Sequence, residues 1–136
     1  MKLMVLLALL LAPFQSAPER ADYAVGQVWE YRTRPGEEGS LLSIRHAEKD
    51  PRGEPIYHIA IIGLKVHADD RAIEELPHLP VSRKTLDASV IRLATRTATF
   101  PDGSEGIATW REAKGGVFTI SVAEIVETLE ASLRTQ

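Results

Sequence analysis

Two short turns of readable type, Arg34-Pro35-Gly36-Glu37 and Asp50-Pro51-Arg52-Gly53, divide three alternating segments. No other feature constrains the fold as strongly. In the first turn, proline presets φ at the second position and glycine takes φ > 0 at the third, as a type II turn requires. The second fits a type I turn position by position. In residues 25–34, Trp29, Tyr31 and Thr33 fall on one face and Val28, Glu30 and Arg32 on the other. Period two with aromatics and a β-branched residue is a strand pattern, and the aromatic face is expected to be buried. Residues 40–48 resume the alternation, with Leu42, Ile44 and His46 on one face. Residues 54–66 are apolar on both faces and read as the central strand of a sheet. Three successive antiparallel strands over 25–34, 40–48 and 54–66 make a β-meander.

The second half reads as helical. Residues 67–79 form a polar, irregular connection with one helical turn after Asp69 or Asp70. A helix is expected over 83–94, with Ser82 as N-cap and Val81 packing on Leu86 as a hydrophobic staple. Leu86, Val90 and Leu93 give it one apolar stripe. The β-branched stretch 95–99 reads as a short edge strand. Ile107, Trp110 and the run to Lys114 read as a short helix ended by Gly115-Gly116, and 117–120 as extended. A last helix is expected over 122–134. Ser121 and Glu124 form a capping box, and Ile120 staples onto Ile125. Val122, Ile125, Val126, Leu129 and Leu133 are its apolar face, and Glu130 pairs with Arg134. Strands followed by helices predict an α+β domain, the meander packing one face on the amphipathic helices at 83–94 and 122–134. The expected core is Trp29, Tyr31, Leu42, Ile44, Ile59, Ile61, Leu86, Val90, Leu93, Ile125 and Leu129.

Residues 1–17, MKLMVLLALLLAPFQSA, stand apart. One basic residue, Lys2, precedes an apolar run over 3–12. Ten helical residues rise about 15 Å, too little for a hydrocarbon core of about 30 Å. This is the pattern of a secretory signal, although cleavage after Ala17 would place Gln15 where a small residue is usual. The alternatives are an uncleaved anchor or a misplaced start. The expected division is therefore a leader over 1–17 and one domain over 18–136. The protein is expected to be periplasmic or secreted if the leader is a true signal and cytoplasmic otherwise, with no stable transmembrane span.

The chain has 136 residues, 16 Lys+Arg, 19 Asp+Glu and a net charge of −3. Bulk electrostatics therefore argue against a nucleic-acid partner. With 44% hydrophobic and 26% charged residues it is not a disordered chain. There is no Cys, and both Met residues, Met1 and Met4, lie in the leader. Any site in the domain is built from His, carboxylates, hydroxyls and backbone.

The phrases VGQVWEYRTRPGEEGSLLSI, IYHIAIIGLKV, HLPVSRKTLDASV and GVFTISVAEIVETLE, taken together, resemble an uncharacterised family of small bacterial proteins. The likeness runs over about residues 23–129, with the TRPGEE turn and the GVFTISVAE capping box as its most distinctive parts. The resemblance implies a single domain and brings no activity. Family members begin near the first strand, and the stretch between Trp110 and Val117 is shorter here.

The chemical candidates are few. His46 and His58 flank the Asp50–Gly53 turn, and in one hairpin register they face each other; one residue away, His46 faces Tyr57. Facing imidazoles can begin a zinc or copper site, with Asp69 or Asp70 as a source of a carboxylate ligand. His78, between Pro77 and Leu79-Pro80, sits in a rigid extended segment and can serve as a general base. Arg34, Glu37 and Glu38 on the first turn can display charge to a partner, against the blander reading of a solvated turn that discourages edge pairing. Trp29 and Trp110 read as core. There is no GxGxxG, P-loop, GxSxG or HExxH, so no cofactor is expected. The first expectation is a non-catalytic binding or interaction domain, contacting an envelope protein or small ligand. The alternatives are a small hydrolase or lyase using His58 or His78 with a carboxylate, and a metal-binding envelope protein using His46 and His58.

Overall fold

A computed structural model describes residues 22–134, so the leader at 1–17 lies outside the described residues. In chain order the elements are β1 (Val28–Tyr31), β2 (Leu41–Lys49), β3 (Pro55–Ala68), β4 (Arg71–Ser82), α1 (Arg83–Ser89), β5 (Val90–Leu93), α2 (Ser104–Glu112) and α3 (Val122–Arg134). The fold is α+β. Its antiparallel sheet has five strands in the order β4-β3-β2-β1-β5, so the three-strand meander is only the middle of a wider sheet.

Both turns form as their residues dictate. Glu37 N–H donates to Arg34 O at 3.1 Å, and Gly36 takes φ +90°. Gly53 N–H donates to Asp50 O at 2.9 Å, and the Asp50 carboxylate accepts from Arg52 N and Glu54 N. The capping box of α3 is closed in both directions: Glu124 N donates to Ser121 Oγ and Ser121 N to Glu124 Oε2, each at 3.2 Å. Ser82 caps α1 by accepting from Thr85 N at 3.1 Å.

Four expectations are corrected. The segment expected to be irregular, 67–79, is the end of β3, a turn at Asp69-Asp70 and most of β4. Bulges between Ile59 and Ile61 and between Ile62 and Val66 shift the β3–β4 register. The core-facing residues Ile73, Leu76 and Leu79 therefore fall three apart and hide period two. Pro77 and Pro80 are tolerated because β4 lies at the sheet edge.

The helix expected over 83–94 stops at Ser89. Ser89 Oγ donates back to Thr85 O at 2.6 Å and accepts from Val122 N at 3.0 Å, while Ser89 O accepts from Arg32 N at 2.8 Å. β-branched Val90 and Ile91 then favour the extended β5, which pairs with β1. Leu93, expected in the core, is half exposed. The edge strand is thus β5, and no strand forms over 95–99.

One sheet face carries the core, where Trp29, Tyr31, Leu42, Ile44, Ile59, Ile61, Leu86, Val122 and Ile125 pack between strands, α1 and α3. A fully buried Leu or Ile contributes about 1.5–3 kcal/mol there. Val90 packs partly against this core, and Leu129 is only half buried. Phe118 makes a parallel bridge to Val81, tying the extended segment before α3 to β4. The second face is crossed by α2. Among the described residues no helix is long and apolar enough to cross a membrane.

Candidate functional site

The site on the second face begins with a bulge in β2. Residues 41–44 pair with β3 in one register and residues 46–49 in the next, leaving Arg45 as the extra residue. Both hairpin registers are therefore present, one on each side of the bulge, and His46 faces His58. The bulge also changes the faces. Unbroken alternation puts His46 with Leu42 and Ile44; the extra residue turns His46 and Glu48 to the opposite face. There they meet His58 from β3 and His78 from β4.

His58 is completely buried. Its Nε2 lies 2.9 Å from Glu48 Oε2, and its Nδ1 lies 2.8 Å from His78 Nε2. The His58 and His78 rings stack at 5.0 Å between centroids, and the Trp110 indole stands edge-on to His58 at 4.8 Å. Arg111 of α2 donates from Nη2 to Glu48 Oε2 at 2.8 Å and lies 3.0 Å from His46 Nε2. Side chains from β2, β3, β4 and α2 thus form one connected polar network.

The electrostatics fix the protons. Burial pushes the Glu48 carboxyl up, but hydrogen bonds from Arg111 and His58 outweigh it and hold it below the ordinary carboxylate range. An ionised Glu48 only accepts, so His58 Nε2 carries the proton. Burial holds His58 below the ordinary imidazole value, with Glu48 opposing, so its Nδ1 is an acceptor. His78 Nε2 then donates, and burial with the neighbouring His58 holds His78 low as well.

The two ring nitrogens of His58 are committed in opposite directions, to Glu48 and to His78. Among the described residues no group of three or more His, Cys, Asp or Glu side chains is placed to hold a metal ion.

Beside the network lies a cleft of about 330 Å³ between β2 and the start of α2. It is lined by Arg45, His46, Asp102, Gly103, Ser104, Ile107 and Arg111. The Asp102 carboxylate is occupied by the Ser104 N–H at 3.0 Å and hydroxyl at 2.9 Å.

Of the first-turn residues, Arg34 and Glu37 lie apart from this network and line a second cleft of about 330 Å³ with Lys65 and Glu130. Glu37 is buried, which overturns the picture of a solvated turn for this residue. Arg34 grips it with Nε at 2.8 Å and Nη2 at 2.9 Å, and Lys65 N–H donates to it at 2.6 Å. Arg34 also reaches Glu127 at 3.2 Å and Glu130 at 3.3 Å, while Glu130 accepts from His67 N at 2.8 Å. The turn is a staple between β1, β3 and α3. Glu38 stays exposed and accepts from Gly36 N.

Sequence reasoning missed Arg45, Glu48 and Arg111, and it placed Trp110 in the core. Glu48 was legible, since it follows His46 by two. Arg111 is 63 residues from Glu48 and carries no local signal. Trp110 is half buried on the second face, its Nε1 donating to Gly116 O at 2.9 Å. No protein-family model, curated protein or solved structure matches this chain.

Proposed function

We propose that this protein is a non-catalytic binding domain that takes a small ligand in the cleft between β2 and α2. The observation that carries this reading is the commitment of His58. A fully buried imidazole with both nitrogens spent on protein partners has no atom to offer a substrate. It serves instead as a brace that fixes Arg111 and His46 along the cleft wall. The cleft volume is at the small end of ligand sites.

The test is a fragment screen followed by backbone amide shifts in the labelled protein. Binders are expected to move the signals of Arg45, His46, Ser104 and Ile107 together. Shifts confined to other faces count against the reading.

One observation favours a second reading, a small hydrolase or lyase. The Glu48–His58–His78 chain ends at His78 Nδ1, which has no hydrogen-bond partner among the described residues. That reading requires turnover that disappears in His78→Gln while the fold persists. The envelope location expected from residues 1–17 belongs to the same proposal, and N-terminal sequencing of the mature protein tests it.

A further inference from the structure

We infer that the group recognised in the cleft is a small anion, a carboxylate or a phosphate, held between Arg45 and Arg111. This rests on the cleft being the binding site. Arg45 is the extra residue of the β2 bulge, and bulges recur where a side chain must be re-aimed. It is exposed, lines the cleft, and has no hydrogen bond or ion pair among the described residues.

Arg111 stands on the other wall. Its Nη2 is held by Glu48 and His46, and no partner takes its Nε or Nη1 among the described residues. A guanidinium fixed through one nitrogen presents its remaining donors in a set direction, the geometry that matches carboxylate and phosphate oxygens. The balance of the lining favours an anion. Two guanidiniums face the cleft against one carboxylate, Asp102, whose oxygens accept from Ser104 and whose charge Arg45 also favours, which leaves the lining one positive charge in excess. Glu48, the counter-charge of Arg111, is not part of the lining.

The test uses the full chain, labelled for amide shifts, with inorganic phosphate and acetate titrated separately and chloride as the ionic-strength control. Saturable shifts at Arg45, His46 and Ser104 are expected from at least one of the two anions and not from chloride. The stronger of the two identifies the headgroup. Arg45→Gln is expected to weaken that binding at least tenfold with an unchanged melting transition. Arg52→Gln, an exposed arginine on the β2–β3 turn, is expected to leave it unchanged. Equal weakening by both variants, or shifts that rise linearly for all salts, overturns the inference. Neutral fragments that bind the cleft equally well in Arg45→Gln, with both anions silent, overturn the anion and leave the cleft standing. Silence from every probe overturns both.

Discussion

His58 Nδ1 and His78 Nε2 stand 2.8 Å apart, close enough that a single proton lies between the two rings. Glu48 fixes the other end of His58, so the chain of donors has one consistent direction. The folded pair can accept a further proton only at His78 Nδ1. Protonating both rings fully would place two N–H groups head to head and break the contact.

Stability is therefore expected to depend on pH. Both histidines are held below their ordinary value of 6.5 in the folded protein. Below about pH 6.5 the unfolded chain binds protons that the folded chain refuses, so stability is present above this point and is lost as pH falls. The slope is at most about 1.4 kcal/mol per pH unit for each net proton. A second loss begins below 4.5, where the carboxyls of Glu48, Glu37 and Glu130, all held low, become protonated in the unfolded chain first. Urea midpoints measured from about pH 8 to about pH 4 check this. A flat profile across the upper step would contradict the assignment of neutral rings.

His58→Ala is expected to destabilise the fold by about 2–4 kcal/mol. It opens a cavity in a fully buried site and removes one hydrogen bond each from Glu48 and His78. Denaturant unfolding reads the loss, and the upper pH step should shrink with it. An unchanged midpoint would mean that His58 does not brace the second face.

Glu37→Gln keeps the shape of the side chain and removes its charge. Arg34 then loses its bidentate partner within a largely buried cluster, although Glu127 and Glu130 remain nearby. Breaking one side of a buried pair costs about 3–5 kcal/mol where no other counter-charge is available. The remaining carboxylates place the expected cost at the lower end, about 3 kcal/mol. Thermal or urea unfolding measures it. A cost below about 1 kcal/mol would place the pair in the class of exposed surface bridges.

The parts of this fold that were legible in the sequence rest on local chemistry. The Pro35-Gly36 turn, the Asp50–Gly53 turn and the Ser121–Glu124 box are each decided within four residues, and each formed as read. The parts that were not legible rest on bulges and on distant partners. The bulge at Arg45 turns His46 and Glu48 away from the Ile44 face, and nothing in the local sequence announces it. Irregularities on both sides of the β3–β4 ladder hide β4, because they replace period two by a spacing of three. Val90 lies at helical spacing from Leu86, yet the partner strand β1 draws it into the sheet. The candidate site is half legible for the same reason: His46, His58 and His78 stand out individually in the sequence, while Arg111 reaches them only through tertiary docking.

Gly103→Ala tests how closely α2 is docked. A Cβ at Gly103 would collide with the carbonyl oxygen of Pro77, a backbone atom of β4 that cannot swing aside. Its φ of −101° is open to alanine, so the conflict is steric and not conformational. Alanine restricts the unfolded chain and on that account stabilises by about 0.4–1 kcal/mol. Overpacking against fixed backbone costs about 1–3 kcal/mol, so the net effect is expected to be destabilising. The loss should be local, with amides of residues 104–112 exchanging faster than those of the sheet. Gly116→Ala is the control, because nothing lies within 4 Å of a Cβ there. Its effect is expected to stay within about 0.5 kcal/mol. Equal behaviour of the two variants would mean that α2 is not held against β4 in solution.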